Sequence, residues 1–405
     1  MERASVIVIG GGVLGTSVAY HLASMGQKDV LLLERKNLAT ASSSQAAGLM
    51  FQISSKPAVD QLSRRTFELL SELEGINDEA LDFRSPGTLR IAENTDEKKN
   101  LSALYQRARN EGVSAEQVDE KWRSERLPWL KTSPDTLAVH FAGEGYIDPY
   151  RLTNAYAKAA RHYGAKVKTG ISVLSIEMSN GAISGVETDA GYISCDSVVV
   201  AGGSWSNQLT VPLGVSLPMI PTRSHFWIAA PDKDFGVDQP MVVHADAGAY
   251  TRPEVGGLLL GVQEAQSRTF DYRQLPEDIL AFAVTEEGGE WDALVEAESR
   301  VSSFFPGLEN ARFESYMAGL SAYTPDGHFI LGSAGDISGL YVAAGCCGSG
   351  VMASGGIGEA LAEVIAKGHA KYDLNAFDPH RFGTVDTTSK EFQELCAKAR
   401  ARKSK

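Results

Sequence analysis

The stretch Val6-Ile-Val-Ile-Gly-Gly-Gly-Val-Leu-Gly15 decides the fold of this chain. Its first four residues are typical of a buried strand, and glycines at 10, 12 and 15 follow with the spacing G-x-G-x-x-G. Gly10 permits a tight turn, Gly12 lets the backbone approach a pyrophosphate, and Gly15 lets the next helix lie close to the strand. The unpaired N–H groups at that helix N-terminus favour a phosphate. The stretch therefore predicts a Rossmann-like dinucleotide-binding unit.

The residues that follow supply the context that a lone glycine motif lacks. An apolar helix is expected from Thr16 to Met25, and a second strand ends in Glu34, 19 residues past Gly15. An acid at this position accepts hydrogen bonds from a ribose hydroxyl, which favours FAD or NAD over NADP. The alternative is a glycine-rich turn beside a surface glutamate.

Composition narrows the class of protein. The 405 residues suffice for two or three domains, and 43% hydrophobic with 22% charged residues is ordinary for a globular protein. A net charge of −13 without a long basic run argues against nucleic acid and anionic membrane as partners. No apolar stretch reaches the roughly 18 residues of a membrane span. The first strand begins near Ser5, so no presequence is expected.

The four cysteines indicate a reducing compartment. They are too few for a disulfide framework and lack metal-ligand spacing, so we expect reduced thiols, no metal site and a cytoplasmic location. They are Cys195, Cys346, Cys347 and Cys396.

Later segments repeat the strand–glycine pattern around an insertion. Buried strands run into Gly202-Gly203 and into Gly345-Cys-Cys-Gly-Ser-Gly350, and a helix is expected from Gly358 to Ala366. Residues 216–310 hold β-rich pieces followed by helical stretches, Glu277 to Phe282 and Trp291 to Phe305, and are interpreted as an inserted domain. The tail from 385 is expected to be solvated and partly frayed.

Taken together, these pieces resemble the FAD-dependent amine and amino-acid oxidoreductases, which include D-amino-acid oxidase, glycine oxidase, sarcosine oxidase and dimethylglycine dehydrogenase. The resemblance covers roughly 1–370, and its motifs occur in order. They are the fingerprint with Glu34, S-S-S-Q-A-A-G-L at 42–49, G-Y-I-D-P at 145–149, V-V-V-A-G-G-S-W at 198–205, Y-T-R-P-E-V-G-G-L-L-L-G at 250–261, Y-T-P-D-G-H-F-I-L-G at 323–332 and G-C-C-G-S-G at 345–350.

The resemblance implies an α/β fold with a noncontiguous, Rossmann-like FAD-binding domain and an inserted α+β substrate domain built on a mixed sheet. The substrate would lie between that sheet and the flavin. The expected segments are 1–85, 145–215 and 315–370 for the FAD-binding domain, 86–144 and 216–314 for the substrate domain, and 371–405 for a C-terminal tail.

Departures from the family pattern are informative. Relatives attach the flavin either through a histidine, at the position that is Gln45 in this chain, or through a cysteine, at the position that is Gly319. Neither nucleophile is present, so noncovalent FAD is expected. Cys346 and Cys347 are the other residues to which a flavin could be attached. No lysine occurs from 234 to 366, which weakens the case for a fast oxidase of the sarcosine type. Ser349 replaces the histidine of the last glycine loop, and Met352 replaces a lysine that helps to hold a carboxylate.

Candidate site residues follow from the pattern and the resemblance. Backbone N–H groups of 345–350 would stabilise negative charge on the reduced flavin. The expected cofactor contacts are Gly10, Gly12, Val13, Leu14, Gly15, Glu34, Arg35, Ser42, Ser43, Ser44, Ala47, Gly48, Leu49, Val173, Ala201, Gly202, Trp205, Gly345, Gly348, Ser349, Gly350 and Val351.

An arginine fork suits an amino-acid carboxylate. Arg252 is the favoured candidate, with surface pairing to Glu254 as the alternative and Arg223 and Arg65 as weaker rivals. The other residues expected around the substrate are Tyr250, Tyr323, His225, Gln45 and Met50.

The predicted function is FAD-dependent oxidation of the C–N bond of a small amine or amino acid, with a secondary or N-methylated donor favoured. Hydride transfer to flavin N5 would leave an imine that water hydrolyses. The electron acceptor, O2 or another, stays open. The alternatives are a D-amino-acid or glycine oxidase, and a flavin-binding subunit or assembly factor without its own turnover.

Overall fold

The computed structural model describes residues 2–277 and 291–402. The helices in these ranges are α1 (Val13–Ser24), α2 (Pro57–Asn77), α3 (Thr95–Asn110), α4 (Glu120–Arg126), α5 (Pro149–His162), α6 (Ser206–Thr210), α7 (Asp292–Ser302), α8 (Gly350–Lys367) and α9 (Lys390–Ala401). The strands are β1 (Glu2–Arg3), β2 (Val6–Ile9), β3 (Val30–Glu34), β4 (Leu49–Met50), β5 (Thr88–Ala92), β6 (Ala115–Gln117), β7 (Leu137–Phe141), β8 (Gly145–Tyr146), β9 (Lys166–Thr169), β10 (Val173–Ser179), β11 (Ala182–Thr188), β12 (Gly191–Ser194), β13 (Ser197–Val200), β14 (Ile220–Ala229), β15 (Met241–His244), β16 (Ala249–Glu254), β17 (Gly257–Val262), β18 (Phe313–Tyr323), β19 (Ile330–Ser333) and β20 (Leu340–Ala344).

The dinucleotide-binding sheet is assembled from distant parts of the chain. Its order is β19-β20-β13-β2-β3-β9, and all neighbours are parallel except β19 and β20. Alternate residues point to opposite faces of a strand. Accordingly, Val6 and Val8 belong to the core with α1, α2, α5 and α8, whereas Ile7 and Ile9 face the core shared with the four-stranded sheet β1-β12-β11-β10. Both faces are covered, which explains the unbroken apolar runs.

The second large sheet has eight strands in the order β18-β14-β17-β16-β15-β5-β7-β6. It is mixed, because β15 and β5 run parallel while the other neighbours are antiparallel. Its strands come from both segments expected to form the substrate domain, 86–144 and 216–314. The expected boundary at 315 falls inside β18, which continues in this sheet to Tyr323.

Helix α8 begins at Gly350, about two turns before the expected start at Gly358. Glycines lower helix propensity, and this helix contains several. They allow close packing here: a Cβ on Gly356 would overlap the backbone of Leu62 in α2, and one on Gly358 would overlap Ser17 in α1. The residues that weaken the helical signal are therefore those that let the helix pack.

The C-terminal segment is ordered, which contradicts the expectation of a solvated tail. Phe392 and Cys396 of α9 are buried against Ile220, Tyr323 and Cys347. The expected helix Trp291 to Phe305 corresponds to α7, and residues 278–282 of the expected helix Glu277 to Phe282 lie outside the described residues. Within the described ranges, no helix combines the length and apolar character that a membrane crossing requires.

Candidate FAD and substrate site

The first glycine turn joins β2 to α1 as its sequence predicts. Gly10 has a φ of +114°, and a Cβ there would lie 2.5 Å from the carbonyl oxygen of Ala201. Gly12 is the N-cap of α1 and provides no side-chain cap, and the Val13 N–H donates to Ser43 Oγ at 3.0 Å. The first turn of a helix has N–H groups without an intrahelical partner, so this end suits an anion.

Glu34 lies at the end of β3 beside this turn. Its carboxylate accepts hydrogen bonds from the backbone N–H of Gly11 at 2.6 Å and of Lys36 at 2.8 Å. Each carboxylate oxygen has two acceptor positions, so both oxygens retain one for a ligand. Glu34 is therefore fixed in place and still able to accept from a ribose.

A single elongated cavity of about 1140 Å³ begins at Glu34 and reaches the late glycine loop at 345–350. All the predicted cofactor residues line it except Gly15 and Ser44. A Cβ on Gly15 would overlap the Gly10 carbonyl, so Gly15 serves helix–strand packing, as expected. Ser44 is exposed and its hydroxyl donates to Ala41 O at 3.0 Å, which takes it away from the cavity.

The far end of the cavity is formed by the N-terminus of α8. The Gly348 N–H donates to Ser321 Oγ at 2.9 Å, which ties the loop to β18. Ser349, the N-cap, makes no side-chain cap hydrogen bond, and Gly350 and Val351 of the first turn line the cavity. A second helix N-terminus without a side-chain cap therefore opens on the same cavity.

Gln45 and Gly319 lie side by side in the cavity wall. A Cβ on Gly319 would overlap the Gln45 side chain, and Gln45 Oε1 is buried without a hydrogen-bond partner. These are the two positions at which the resemblance places flavin attachment in relatives. The two positions are in contact with each other in the cavity wall, and neither carries a nucleophile here.

The eight-stranded sheet presents one face to this cavity. Ser224 pairs with Gly319 in register, and Tyr323 follows Gly319 on the same face, because residues two apart in a strand share a face. Tyr250 packs across Gly261 on the neighbouring strand and also lines the cavity. Burial raises the pKa of both tyrosines above the ordinary value, so their hydroxyls are neutral, and the Tyr323 hydroxyl lies beside the Ser224 side chain.

His225 is part of the cavity wall, but its ring lies on the other face of the sheet. Its centroid is 4.8 Å from that of Trp227, and its Nδ1 lies 3.2 Å from Tyr316 Oη. Burial, with smaller contributions from Arg400 and Arg223, lowers the pKa of His225 to about 3. The structure thus gives it packing contacts, and we do not carry the predicted catalytic role forward.

Arg252 and Met50 also lie elsewhere than predicted. The Arg252 guanidinium pairs with Glu254 and donates from Nε to Ala47 O at 2.8 Å, and it does not line the cavity. The surface pairing weighed as the alternative is the arrangement observed. Met50 is fully buried in the core, because in the short strand β4 its neighbour Leu49 faces the cavity and Met50 faces the opposite way.

Arg400 lines the cavity, and sequence reasoning missed it. Arg400 belongs to the segment that the sequence predicts to be a solvated tail. The signal that could have found it is the spacing of Phe392, Cys396 and Arg400, which places all three on one face of a helix that begins at the N-cap Ser389.

Two strand–glycine–helix joints open on one elongated cavity, with an acid, Glu34, at the end of the second strand, and this arrangement is typical of a dinucleotide-binding protein. The orphaned Gln45 oxygen and the two helix ends fit the two ends of such a cofactor. The family model described as FAD dependent oxidoreductase (DAO) matches residues 5–364, so the chain belongs to that family. The predicted family, fold class and FAD cofactor are confirmed.

Relatives with assigned names are similar over nearly the whole chain. 4-Methylaminobutanoate oxidase (formaldehyde-forming) of Paenarthrobacter nicotinovorans is 30% identical over 377 residues, covering 93% of this chain and 45% of the relative. The mitochondrial dimethylglycine dehydrogenase of Rattus norvegicus is 30% identical over 401 residues, covering 96% of this chain and 46% of the relative. The mitochondrial pyruvate dehydrogenase phosphatase regulatory subunit of Mus musculus is 27% identical over 391 residues, covering 95% of this chain and 44% of the relative.

The chain spans somewhat less than half the length of these three relatives. Among solved structures, the L-proline dehydrogenase of P. horikoshii is similar over its full length: it superposes with a TM-score of 0.82 and 27% identity, covering 94% of this chain and 98% of that one. The predicted class of enzyme, an FAD-dependent oxidoreductase acting on an amine or amino-acid donor, is confirmed by the family match and by the oxidase and dehydrogenase relatives.

Proposed function

We propose that this protein oxidises the C–N bond of a small amine or amino acid with FAD as cofactor, and that a secondary or N-methylated amine is its donor. The observation that carries this proposal is the cavity on which the N-termini of both α1 and α8 open, with the face of the eight-stranded sheet that carries Tyr250 and Tyr323 opposite the second one. One end suits a pyrophosphate and the other suits the redox ring.

In this arrangement the residues of α1 and the following loop would hold the dinucleotide. The N–H groups of the first turn and Ser43 would face phosphate, and Glu34 would accept from the ribose. FAD, when bound, would accept a hydride, that is two electrons and one proton, from the carbon beside the amine nitrogen. The first-turn N–H groups of α8 would stabilise negative charge at that end of the cavity.

The sheet face would orient the donor and exclude water. Tyr250 and Tyr323 offer flat apolar walls, and their hydroxyls stay protonated because burial raises their pKa values. A neutral amine, the form that is oxidised, is favoured in such a dry pocket over its charged form. Within the described residues of the cavity wall, we assign no obligatory general acid or base.

Similarity supports the choice of donor. By their names, the relatives act on 4-methylaminobutanoate and dimethylglycine, and the structural neighbour acts on L-proline. All three compounds are secondary or tertiary amines that carry a carboxylate. The absence of a histidine at 45 and of a cysteine at 319 supports noncovalent FAD, so acid precipitation of the protein should release its yellow colour into the supernatant.

Anaerobic mixing of the FAD-loaded protein with candidate amines tests the proposal. Bleaching of the flavin absorbance by N-methyl amino acids or proline is expected. Bleaching by glycine or D-amino acids alone would replace the proposal with the primary-amine alternative. Oxygen consumption would then distinguish an oxidase from a dehydrogenase.

A second candidate function is a flavin-binding subunit without turnover. The observation that favours it is the similarity to a relative named as a regulatory subunit. If FAD binds tightly but no primary, secondary or tertiary amine bleaches it, this candidate replaces the proposed function.

A further inference from the structure

The C-terminal helix α9 contributes a charged side chain to the substrate end of the cavity. The helix packs against β14 and β18, with Phe392 and Cys396 buried beneath it. One turn further on, Arg400 is 4% exposed and lines the cavity. An arginine is almost never buried to this extent unless it is paired.

Among the residues that the structure describes, no carboxylate oxygen lies within 4.0 Å of the Arg400 guanidinium. Its Nε donates to Ser224 Oγ at 3.3 Å, which leaves the Nη groups to face a ligand. Arg35, in the cavity wall at the nucleotide end, stacks on the Trp205 ring with 4.5 Å to its centroid. The other arginines considered for carboxylate binding, or found in the cavity wall, have acidic partners. These pairs are Arg65 with Glu359, Arg90 with Glu144, Arg107 with Asp60, Arg223 with Glu264, and Arg252 with Glu254.

The residues around Arg400 lie at the end of the cavity that would hold the substrate. Ser224 is in register with Gly319, whose neighbour Gln45 marks the cofactor site. The positive charge of Arg400 acts on Tyr250 and Tyr323, and the Tyr323 hydroxyl lies beside Ser224, the side chain to which Arg400 Nε donates. A cation and hydroxyl groups therefore converge on one dry space, which is an arrangement that complements an anion.

Lys56 is a rival cation in the cavity wall. Its Nζ donates to the carbonyl oxygen of Gly327 at 2.6 Å, so part of its donor capacity is used by the loop that follows β18. Unlike the arginine fork, an ammonium group does not match both oxygens of a carboxylate in one plane. Arg400 is therefore the better candidate for binding a carboxylate, both in the donors it has left and in the geometry of its guanidinium.

We propose that Arg400 binds the carboxylate of the substrate, and that the donor is therefore an amine bearing a carboxylate. This inference rests on the proposed function for the identity of the substrate. It places the anchoring residue outside residues 5–364, which the family model matches. Docking of α9 would thus complete the pocket, and Arg400 would act as a positioning residue that touches the substrate away from the reacting C–N bond.

Binding of a nonreactive carboxylate tests this without turnover. The FAD-loaded protein would be titrated with 2-furoate and, separately, with the neutral 2-furamide, following the shift of the flavin absorbance. Furoate should bind and furamide should bind far more weakly. Arg400→Met should weaken furoate about 100-fold, as the loss of two charge-assisted hydrogen bonds implies, and Arg400→Lys should recover part of the affinity. Arg402→Met, which removes an exposed charge from the same helix end, is the matched control and should change nothing.

Integrity of the fold is checked separately. The Cys396 thiol should stay inaccessible to iodoacetamide in the Arg400→Met protein, which shows that α9 is still docked. With that established, equal furoate affinity of wild-type and Arg400→Met proteins would overturn the inference, as would absence of furoate binding to wild type.

A kinetic comparison separates this inference from the proposed function. Arg400→Met should raise KM for N-methylglycine while leaving the slower oxidation of dimethylamine, its decarboxylated counterpart, nearly unchanged. If no amine bleaches the flavin but furoate binding still depends on Arg400, only the proposed function fails. If amines are oxidised and furoate binding ignores Arg400, only the Arg400 inference fails.

Discussion

At the scale of single residues, the partner of a side chain decides what it can do. Arg252 and Arg400 both carry a guanidinium beside the eight-stranded sheet, but Glu254 neutralises the first, whereas the second donates to the Ser224 hydroxyl and pairs with no carboxylate among the described residues. Sequence reasoning chose Arg252 because its motif lies on a strand. Partners are set by tertiary packing, which a motif does not report.

Glu34 offers a direct test at the nucleotide end. Glu34→Gln keeps the shape of the side chain but removes its charge and replaces one acceptor with a donor. We expect FAD affinity to fall roughly 10-fold to 100-fold, the equivalent of about 1.5–3 kcal/mol for hydrogen bonds to a charged group. The measurement is the Kd from quenching of FAD fluorescence. Glu177→Gln on strand β10, at a side chain that does not line the cavity, is the control, and equal affinities for both variants would show that Glu34 does not contact the cofactor.

The cysteines should be unreactive despite their number. Burial raises the pKa of Cys347 to about 11 and raises the pKa of Cys195 and Cys396 as well, so the reactive thiolate is scarcer at pH 8 than for an ordinary cysteine. We expect iodoacetamide at pH 8 to leave these three unmodified in the native protein and to label them after unfolding, as read by mass spectrometry. Rapid native labelling of Cys347 would contradict the described packing.

At the scale of elements, helices α8 and α9 show where local sequence signals mislead. Because glycines have low helix propensity, the sequence predicts a start of α8 later than the one observed. The same glycines are needed for close contact with α1 and α2. Charged residues made the tail resemble a solvated end, although Phe392, Cys396 and Arg400 form one buried face. In both helices the tertiary contact outweighs the local preference.

Two glycine substitutions test the packing of α8. Gly356→Ala adds a methyl group that would overlap the backbone of Leu62, so we expect net destabilisation of about 1–3 kcal/mol, although alanine is the better helix former. Gly75→Ala in α2 is the matched control, because a Cβ there meets no atom within 4 Å, and we expect up to about 1 kcal/mol of stabilisation. Urea unfolding measures both, and a stabilised Gly356→Ala protein would be inconsistent with the α2–α8 contact.

Docking of α9 depends on Phe392. Phe392→Ala removes a buried ring, and such a substitution in a core lowers stability by about 3–5 kcal/mol. Helix α9 should therefore detach from the sheet more often. We expect faster hydrogen exchange across 390–401 with no loss of bound FAD. Leu395→Ala, at a side chain that is 44% exposed on the same helix, should leave exchange unchanged. Equal exchange in both variants would mean that α9 is not held by this contact.

At the scale of the whole molecule, the sequence predicts the fold better than it predicts the substrate site. The fingerprint from Val6 to Gly15, with Glu34, specifies the nucleotide end, because a strand, a turn and a helix N-terminus are local features. The late glycine loop was predicted for the same reason. The substrate wall joins β14, β16, β18 and α9, which are far apart in the chain, so the roles of Arg400, His225 and Met50 follow only from how these elements meet.

An experimental structure of the FAD-loaded protein is the most direct test of the central claim, that one cavity between two helix N-termini holds the cofactor. We expect density for the adenosine ribose beside Glu34, the pyrophosphate at the start of α1, and the isoalloxazine ring between the loop at 345–350 and the sheet face carrying Tyr250. A flavin in another orientation, a nicotinamide in its place, or FAD bound outside this cavity would contradict the account.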